Sequence, residues 1–245
     1  GWMERREYEL MAAVEDRLWW YRGLRALAAE LFARHAAVAR QPILDAGCGT
    51  GGLLSRLVAA GLRPAPVGLE YDSTAAGIAI AKSGRPVAVG SVNALPFADH
   101  TLSGMFSLDV LCHRMVEPER ALAEAHRCLE TGGILLLNLP AYRWLASAHD
   151  ARVHNARRFG RREAVGLLEA AGFRIRRATH WNSFLFPLMV LRRLLSREDG
   201  ESDVRPFPAP LNALFGAVVA VERRLIGWGL DLPFGGSIML VAEKR

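Results

Sequence analysis

One glycine-rich turn constrains this chain more than any other feature. It reads Ile43-Leu44-Asp45-Ala46-Gly47-Cys48-Gly49-Thr50-Gly51-Gly52 and joins a short apolar run to a helical stretch. Glycine takes the tight backbone of such a turn and lets a ligand touch the main chain. The helix expected next, over 51–60, points its first amide groups at the same spot. Such a turn belongs at the carboxyl end of a parallel strand, the edge where ligands bind in open α/β sheets.

The rest of the chain agrees with that placement. From Pro42 onward, strand-like runs at 43–46, 67–70, 87–90, 104–108 and 134–138 alternate with helical stretches at 51–60, 73–82 and 118–129. This alternation predicts parallel strands joined by right-handed crossovers. Pro118 opens the last of these helices, and Gly132-Gly133 stands just past its end as a stop signal. Asp72-Ser73 reads as an N-cap for the helix over 73–82. Before residue 40, Leu24, Leu27, Ala28, Leu31 and Phe32 form an apolar helical stripe. After 140 come a loop at 140–160, a helix at 162–171 and a strand at 173–180; a charged, proline-rich stretch at 196–210 reads as mobile. An apolar helix over 211–226 and a buried strand over 237–242 complete the pattern.

Composition narrows the class. With 51% hydrophobic and 23% charged residues among 245, the chain has the means to build a core, which excludes a disordered segment. Cys48, Cys112 and Cys128 form no C-x-x-C pair, so neither a disulfide framework nor a structural zinc cluster is expected. A reducing, cytoplasmic setting follows as an expectation. The apolar runs at 184–191 and 213–221 fall short of the ~20 residues of a spanning helix. No secretory signal is read, and Gly1-Trp2 ahead of Met3 reads as an expression remnant. The net charge of +6 comes almost wholly from arginine, Lys82 and Lys244 being the two lysines, and is weak evidence for a polyanion partner.

Glu70 follows Gly52 by eighteen residues, at the end of the second strand, where a carboxylate can accept both ribose hydroxyls. Turn and carboxylate together describe a nucleoside site. Gly47-x-Gly49-x-x-Gly52 also matches the dinucleotide fingerprint, which keeps an NAD(P)-binding oxidoreductase open. Asp45 argues against it: a carboxylate at the strand tip repels a pyrophosphate and attracts an ammonium group. Ribose, adenine and free ammonium meet in S-adenosylmethionine.

Five motifs agree in order: Asp45 to Gly51 (D-A-G-C-G-T-G), V-G-L-E at 67–70, A-L-P-F at 94–97, S-L-D-V-L at 107–111 and L-E-T-G-G-I-L-L-L at 129–137. Over Asp45 to about Pro140 the chain resembles the class I S-adenosylmethionine-dependent methyltransferases. More loosely it resembles a bacterial small-molecule subgroup, through W-W-Y-R at 19–22 and H-D-x-x-x-H-x-x-R-R at 149–158. The resemblance implies an α/β, Rossmann-like three-layer sandwich whose seven-stranded sheet is mostly parallel with an antiparallel last strand. The implied layout is an N-terminal helical lid at 1–40, a cofactor-binding core at 41–180, a helical substrate or interface insertion at 181–232, and the last strand at 233–245. It also implies that Gly47 and Gly49 contact the methionine moiety, with Cys48 in the same loop as a packing residue rather than a nucleophile. Asp45 orients the ammonium group, Glu70 holds the ribose, and Tyr71 packs on the adenine. Val92 and Asn93 lie near the adenine edge, and Leu108 closes the pocket floor. Ser91 stands where the family often has an acidic residue, so its hydrogen bond lacks charge assistance.

Methyl transfer from a sulfonium needs positioning above all, and a base only where the acceptor arrives protonated. His149 is the first candidate base and His113 the second; Asp150 and His154 share the loop with His149. No metal site is assigned. Trp19, Trp20 and Tyr21 suit a lid with an aromatic face toward the sulfonium, and Arg22 suits the methionine carboxylate. Tyr142, Trp144, His154 and Trp181 are the candidate substrate residues. Apolar stripes beside Arg192-Arg193 and Arg223-Arg224 suit a lipid-like substrate with an acidic head, a peripheral membrane contact, a homodimer interface or plain core. Nucleic acid is disfavoured as a substrate, because the Asn/Asp-Pro-Pro-aromatic turn of amino-methylating nucleic-acid enzymes is replaced by Ser107-Leu108-Asp109-Val110. The expected activity is methyl transfer to O, N or C of a small or lipid-like metabolite. An oxidoreductase, an RNA methyltransferase and a noncatalytic cofactor-binding module are the alternatives.

Overall fold

The computed structural model describes residues 2–145, 157–195 and 207–245. Its elements are α1 (Trp2–Arg17), α2 (Trp19–His35), β1 (Ile43–Ala46), α3 (Gly52–Ala59), β2 (Val67–Glu70), α4 (Ser73–Ser83), β3 (Val87–Val89), β4 (Leu102–Leu108), α5 (Pro118–Cys128) and β5 (Leu129–Pro140). A short 3-10 turn at Arg143–Leu145 follows, then α6 (Arg161–Ala170), β6 (Phe173–Trp181), α7 (Phe186–Leu195), α8 (Ala209–Gly227) and β7 (Ser237–Lys244). One seven-stranded sheet has the order β3-β2-β1-β4-β5-β7-β6, and β7 runs antiparallel to both neighbours. This is the expected doubly wound fold.

Alternating side chains explain the three layers. Ile43, Phe106, Leu136 and Val241 face one side, where they join Leu27, Leu31 and Phe32 of α2, Leu53 and Leu57 of α3 and Val219 and Ile226 of α8. Their neighbours Leu44, Met105, Leu135 and Leu240 face the other side, with Ala121, Leu122 and Ala125 of α5 and Ala164 and Leu168 of α6. A strand buried on both faces reads as a continuous apolar run, as 134–137 does.

Three local features depart from the sequence expectation. The helical region before residue 40 breaks in two at Leu18, whose backbone is extended. Asn212 of α8 secures the break: its Oδ1 accepts the Trp19 N–H and its Nδ2 donates to the Arg17 carbonyl. Gly132-Gly133 is not a stop beyond α5 but part of β5, which pairs with β4 from Leu129 onward through a bulge. The α5–β5 junction needs no glycine because Lys244 reaches in from β7 and donates to the Leu129 carbonyl at 2.7 Å. Finally, β4 begins at Leu102 rather than at residue 104, because Leu102 pairs with Leu129.

Candidate cofactor and acceptor site

The turn after β1 is shaped by its neighbours. Gly47 and Cys48 both donate to the Leu69 carbonyl, at 2.8 and 2.9 Å, which seats the turn on β2. Gly47 has φ +81, and a Cβ there would strike Val110; Gly49 has φ +54, and a Cβ there would meet nothing within 4 Å. Gly49 is thus the open side of the turn, where backbone faces free space. Gly52 is glycine for a different reason: the Arg25 guanidinium occupies the space its Cβ would take.

Glu70 braces this turn. Its Oε2 accepts the Gly49 N–H at 2.8 Å and its Oε1 accepts the Asp72 N–H at 3.0 Å. Asp72 then caps α4 through Thr74 N and Ala75 N, as read from the sequence, and also accepts from Tyr8 Oη of α1. Asp45, at the tip of β1, is 2% exposed, and its Oδ2 has no hydrogen-bond partner among the described residues. Burial pushes its carboxyl up to about 7; the Arg25 charge opposes this and the Glu70 charge adds to it. An orphaned buried carboxyl oxygen beside bare glycine backbone fits a ligand that brings its own cation.

Arg25 was not among the sequence candidates. It lies on Gly52, pairs with Asp16 at 2.9 Å and Glu15 at 3.5 Å, and stands 5.5 Å from the Tyr21 ring centroid. Asp16 also pairs with Lys82 at 2.6 Å, so α1 is tied to α2 and α4 beside the turn. Arg22, the sequence candidate, is exposed. Tyr21 is half-buried, and burial, with Glu15 and Asp109 nearby, raises its hydroxyl. Burial likewise raises the Cys48 thiol, which keeps it protonated and poorly nucleophilic.

The remaining candidates are placed as follows. Tyr71 is 67% exposed just past Glu70. Ser91 closes a turn by accepting the Asn93 N–H, and Val92 is half-buried between them. Asn93 donates to the Met115 carbonyl and accepts the Glu117 N–H, tying that turn to the segment after β4. Leu108 is half-buried against the α2 side of the sheet. His113 uses Nδ1 to accept the Met115 N–H, while its carbonyl accepts from Arg157. His149, Asp150 and His154 lie outside the described residues. Among the described residues no cluster of His, Cys, Asp and Glu could hold a metal ion, and no helix is long and apolar enough to cross a membrane.

Tyr142 stacks on His180 at 5.6 Å and meets Trp144 and Phe186 at 5.6 and 5.5 Å; Phe186 in turn meets Phe234. Trp144 is 64% exposed. These rings gather past the ends of β5 and β6 and ahead of β7, on the same sheet edge as the glycine turn. Trp181 is not part of that exposed wall. It is 1% exposed, stacks on Trp20, and donates from its indole to Asn138.

The sequence reading also missed Asp109, the first residue past β4. Its φ is +56, its N–H donates to the Asn138 carbonyl, and its Oδ1 accepts from Asn138 Nδ2 at 2.9 Å. Burial pushes its carboxyl up to about 7, against the lowering effects of Asn138 and Arg158.

Comparison with known proteins agrees with this geometry. Residues 44–137 match the family model described as a methyltransferase domain. Over 114 residues the chain is 32% identical to 24-methylenesterol C-methyltransferase 2 of Arabidopsis thaliana, covering 44% of this chain and 30% of that protein. The chain therefore spans less than a third of that relative's length. A SAM-dependent methyltransferase from Thermotoga maritima shares the fold at 19% identity and a TM-score of 0.58, covering 98% of this chain and 95% of that one. Geranyl diphosphate C-methyltransferase from Streptomyces coelicolor A3(2), solved with S-adenosyl-L-homocysteine, does so at 14% identity and a TM-score of 0.57, covering 89% and 77%. Residues 44–137 thus match a methyltransferase domain, and the seven-stranded sheet around them is the fold that these solved methyltransferases share.

Proposed function

We propose that this chain transfers the methyl group of S-adenosylmethionine to oxygen, nitrogen or carbon of a small or lipid-like metabolite. The observation that carries the reading is Asp45. A buried carboxylate with one unpartnered oxygen is costly, and an amino acid's ammonium group removes that cost where a diphosphate would add to it. In this reading Gly47, Cys48 and Gly49 present main chain to the methionine moiety and Glu70 takes the ribose. Tyr71 covers the adenine, Ser91, Val92 and Asn93 line its edge, and Leu108 forms the floor. Tyr21 and Arg22 belong to an N-terminal lid over residues 1–40. The bound cofactor supplies an electrophilic methyl group on a sulfonium. The protein's own share is to hold that group and the acceptor in line, which orientation alone makes worth ~7–11 kcal/mol.

The aromatic wall of Tyr142, Trp144, Phe186 and Phe234 favours an apolar acceptor, and two similar proteins are named for methylating a sterol and geranyl diphosphate. Exposed Leu214, Val221 and Trp228 on and after α8 suit a membrane surface or a second copy of the chain. Calorimetry with S-adenosylmethionine, S-adenosylhomocysteine and NAD tests the cofactor. The first two bind in this reading, and binding of NAD alone overturns it. Incubation of fractionated cell extract with tritiated methyl donor then tests the acceptor, with label expected in the lipid or metabolite fractions. Label confined to RNA and lost at high salt means a nucleic-acid substrate, and cofactor binding with no label in any fraction means a noncatalytic module.

A further inference from the structure

Methyl transfer to a protonated acceptor leaves one proton to be taken up. We propose that Asp109 is the base of the methyl-transfer reaction, with Asn138 and Trp181 positioning its carboxylate. The inference rests on the methyl-transfer reading above and adds a residue to it.

Its place in the fold comes first. Asp109 ends β4 at the ligand edge of the sheet, and the next residue, Val110, packs against Gly47 of the cofactor turn. Its left-handed backbone, φ +56, turns the chain off the strand, and asparagine and aspartate are the side-chain residues that tolerate this best. Two bonds to Asn138 then fix it, one from its own N–H and one to its Oδ1. Asn138 is itself 0% exposed and cannot turn over: the Trp181 indole, which only donates, holds the amide oxygen at 2.7 Å, so the amide N–H must face Asp109. Trp181 is locked in turn by the stack on Trp20. A side chain held this firmly by buried residues, while itself half-buried at the cleft, has the preorganisation a reacting group needs.

The charged and titratable neighbours are Arg158, from the segment before α6, Tyr21 of α2, and Cys112, whose thiol donates to the Asp109 carbonyl; Asn138 and Trp181 are neutral. Within that setting the carboxyl is pushed up to about 7, the range in which a general base is both ionised and basic enough to accept a proton. His113, one of the two histidines suggested as a base by the sequence, has Nδ1 engaged with the Met115 N–H.

The step balances without a further reagent. The acceptor's X–H bond breaks, and its electron pair forms the new X–CH3 bond. The carbon–sulfur pair stays on sulfur, and the proton passes to the Asp109 carboxylate and then to water. For an alkene carbon the π pair forms the new C–CH3 bond and leaves a cation on the adjacent carbon. A proton then leaves a carbon bonded to that cation, and its C–H pair forms the new double bond.

Asp109→Asn tests this cleanly, because asparagine suits the same backbone and its amide oxygen still accepts from Asn138. Tritiated methyl transfer is followed from pH 5.5 to 8.5 with geranyl diphosphate, sarcosine and a fractionated lipid extract as acceptors. The wild-type rate is expected to rise with pH through an inflection near neutrality. Asp109→Asn should lower kcat at least a hundredfold and erase the inflection, with S-adenosylhomocysteine affinity kept within twofold. Asp109→Glu should recover part of the rate, and Asn138→Ala should move the inflection. Without cofactor, the infrared band of a protonated carboxyl between pH 6 and 8 should weaken in Asp109→Asn. A variant within threefold of wild-type kcat, or one that keeps the inflection or the full infrared change, overturns the base. Cofactor binding with no labelling of any acceptor by the wild type overturns the methyl-transfer reading, and the base with it.

Discussion

The tips of β1 and β4 are neighbours in the sheet, and each carries a carboxyl group that burial pushes up to about 7. Their surroundings differ. Asp45 has an oxygen with no partner, whereas Asp109 is gripped twice by Asn138. An unpartnered buried charge is costly until a ligand completes it, which suits the β1 tip to the proposed role in binding. The Asp109 carboxyl instead has one oxygen held by the Asn138 amide, and its backbone N–H is held by the Asn138 carbonyl, which suits the β4 tip to the proposed role of moving a proton. Similar titration therefore need not mean similar work; the hydrogen-bond partners separate the two.

The largest effect expected of this contrast is on stability without cofactor. Between about pH 4 and 7 the folded chain keeps protons on these carboxyls that the unfolded chain has released, so stability falls as pH rises through that window. The two shifts are alike, so each carboxyl contributes on the order of 2–4 kcal/mol to the loss. Denaturant melts at pH 5 and pH 8 measure it. Asp45→Asn should remove about half of the difference and Asp109→Asn the other half, and an equally steep profile in the Asp45 variant would remove Asp45 as a source.

Cofactor affinity comes next. Asp45→Asn should weaken S-adenosylmethionine by about 2–3 kcal/mol, the value of a charge-assisted bond. Because the ammonium group favours the ionised carboxylate, wild-type affinity should rise with pH and level off above about 7. Asp109→Asn should leave that rise in place. Calorimetry at three pH values separates the two tips, and a loss of equal size in both variants would erase the distinction drawn between them.

Much of this was legible beforehand, for identifiable reasons. Short strands set between helical stretches let β1 and β2 be located to within a residue, the alternation of Phe173, Ile175 and the arginines between and after them did the same for edge strand β6, and the turn at Asp45 to Gly52 carries its own signature. Contacts made across the sheet left no such trace. W-W-Y-R pointed to Arg22 alone, because nothing in it shows which side of α2 meets the glycines; the structure puts Arg25, one turn beyond Tyr21, on Gly52. Asp109 was visible only as a letter of the S-L-D-V-L motif just past the strand, since its left-handed backbone and its partner 29 residues away leave no trace in those residues. Gly132-Gly133 misled for the converse reason: the signal was genuine, but Lys244, far along the chain, already closes that helix end.

Glu70 sharpens the comparison further, because it braces the turn and, in the proposed site, also holds the ribose. Glu70→Ala should cost about 1–3 kcal/mol of cofactor affinity, combining lost ribose contacts with a loosened Gly49. Glu70→Gln keeps an acceptor for only one of the two N–H groups it now holds, and should fall between wild type and alanine. Equal affinity in all three proteins would take Glu70 out of the site.

The smallest effect should come from His113, and it tests the β4 tip from the other side. If Asp109 handles the proton, His113 contributes mainly through the Met115 N–H and the turn that Asn93 also holds. Replacing it with glutamine, which can still accept from that N–H, should lower stability by no more than about 1 kcal/mol. It should also leave the neutral inflection of the rate in place. Loss of that inflection in the His113 variant, with its retention in Asp109→Asn, would transfer the proton to the histidine and return Asp109 to the role of a strut between β4 and β5.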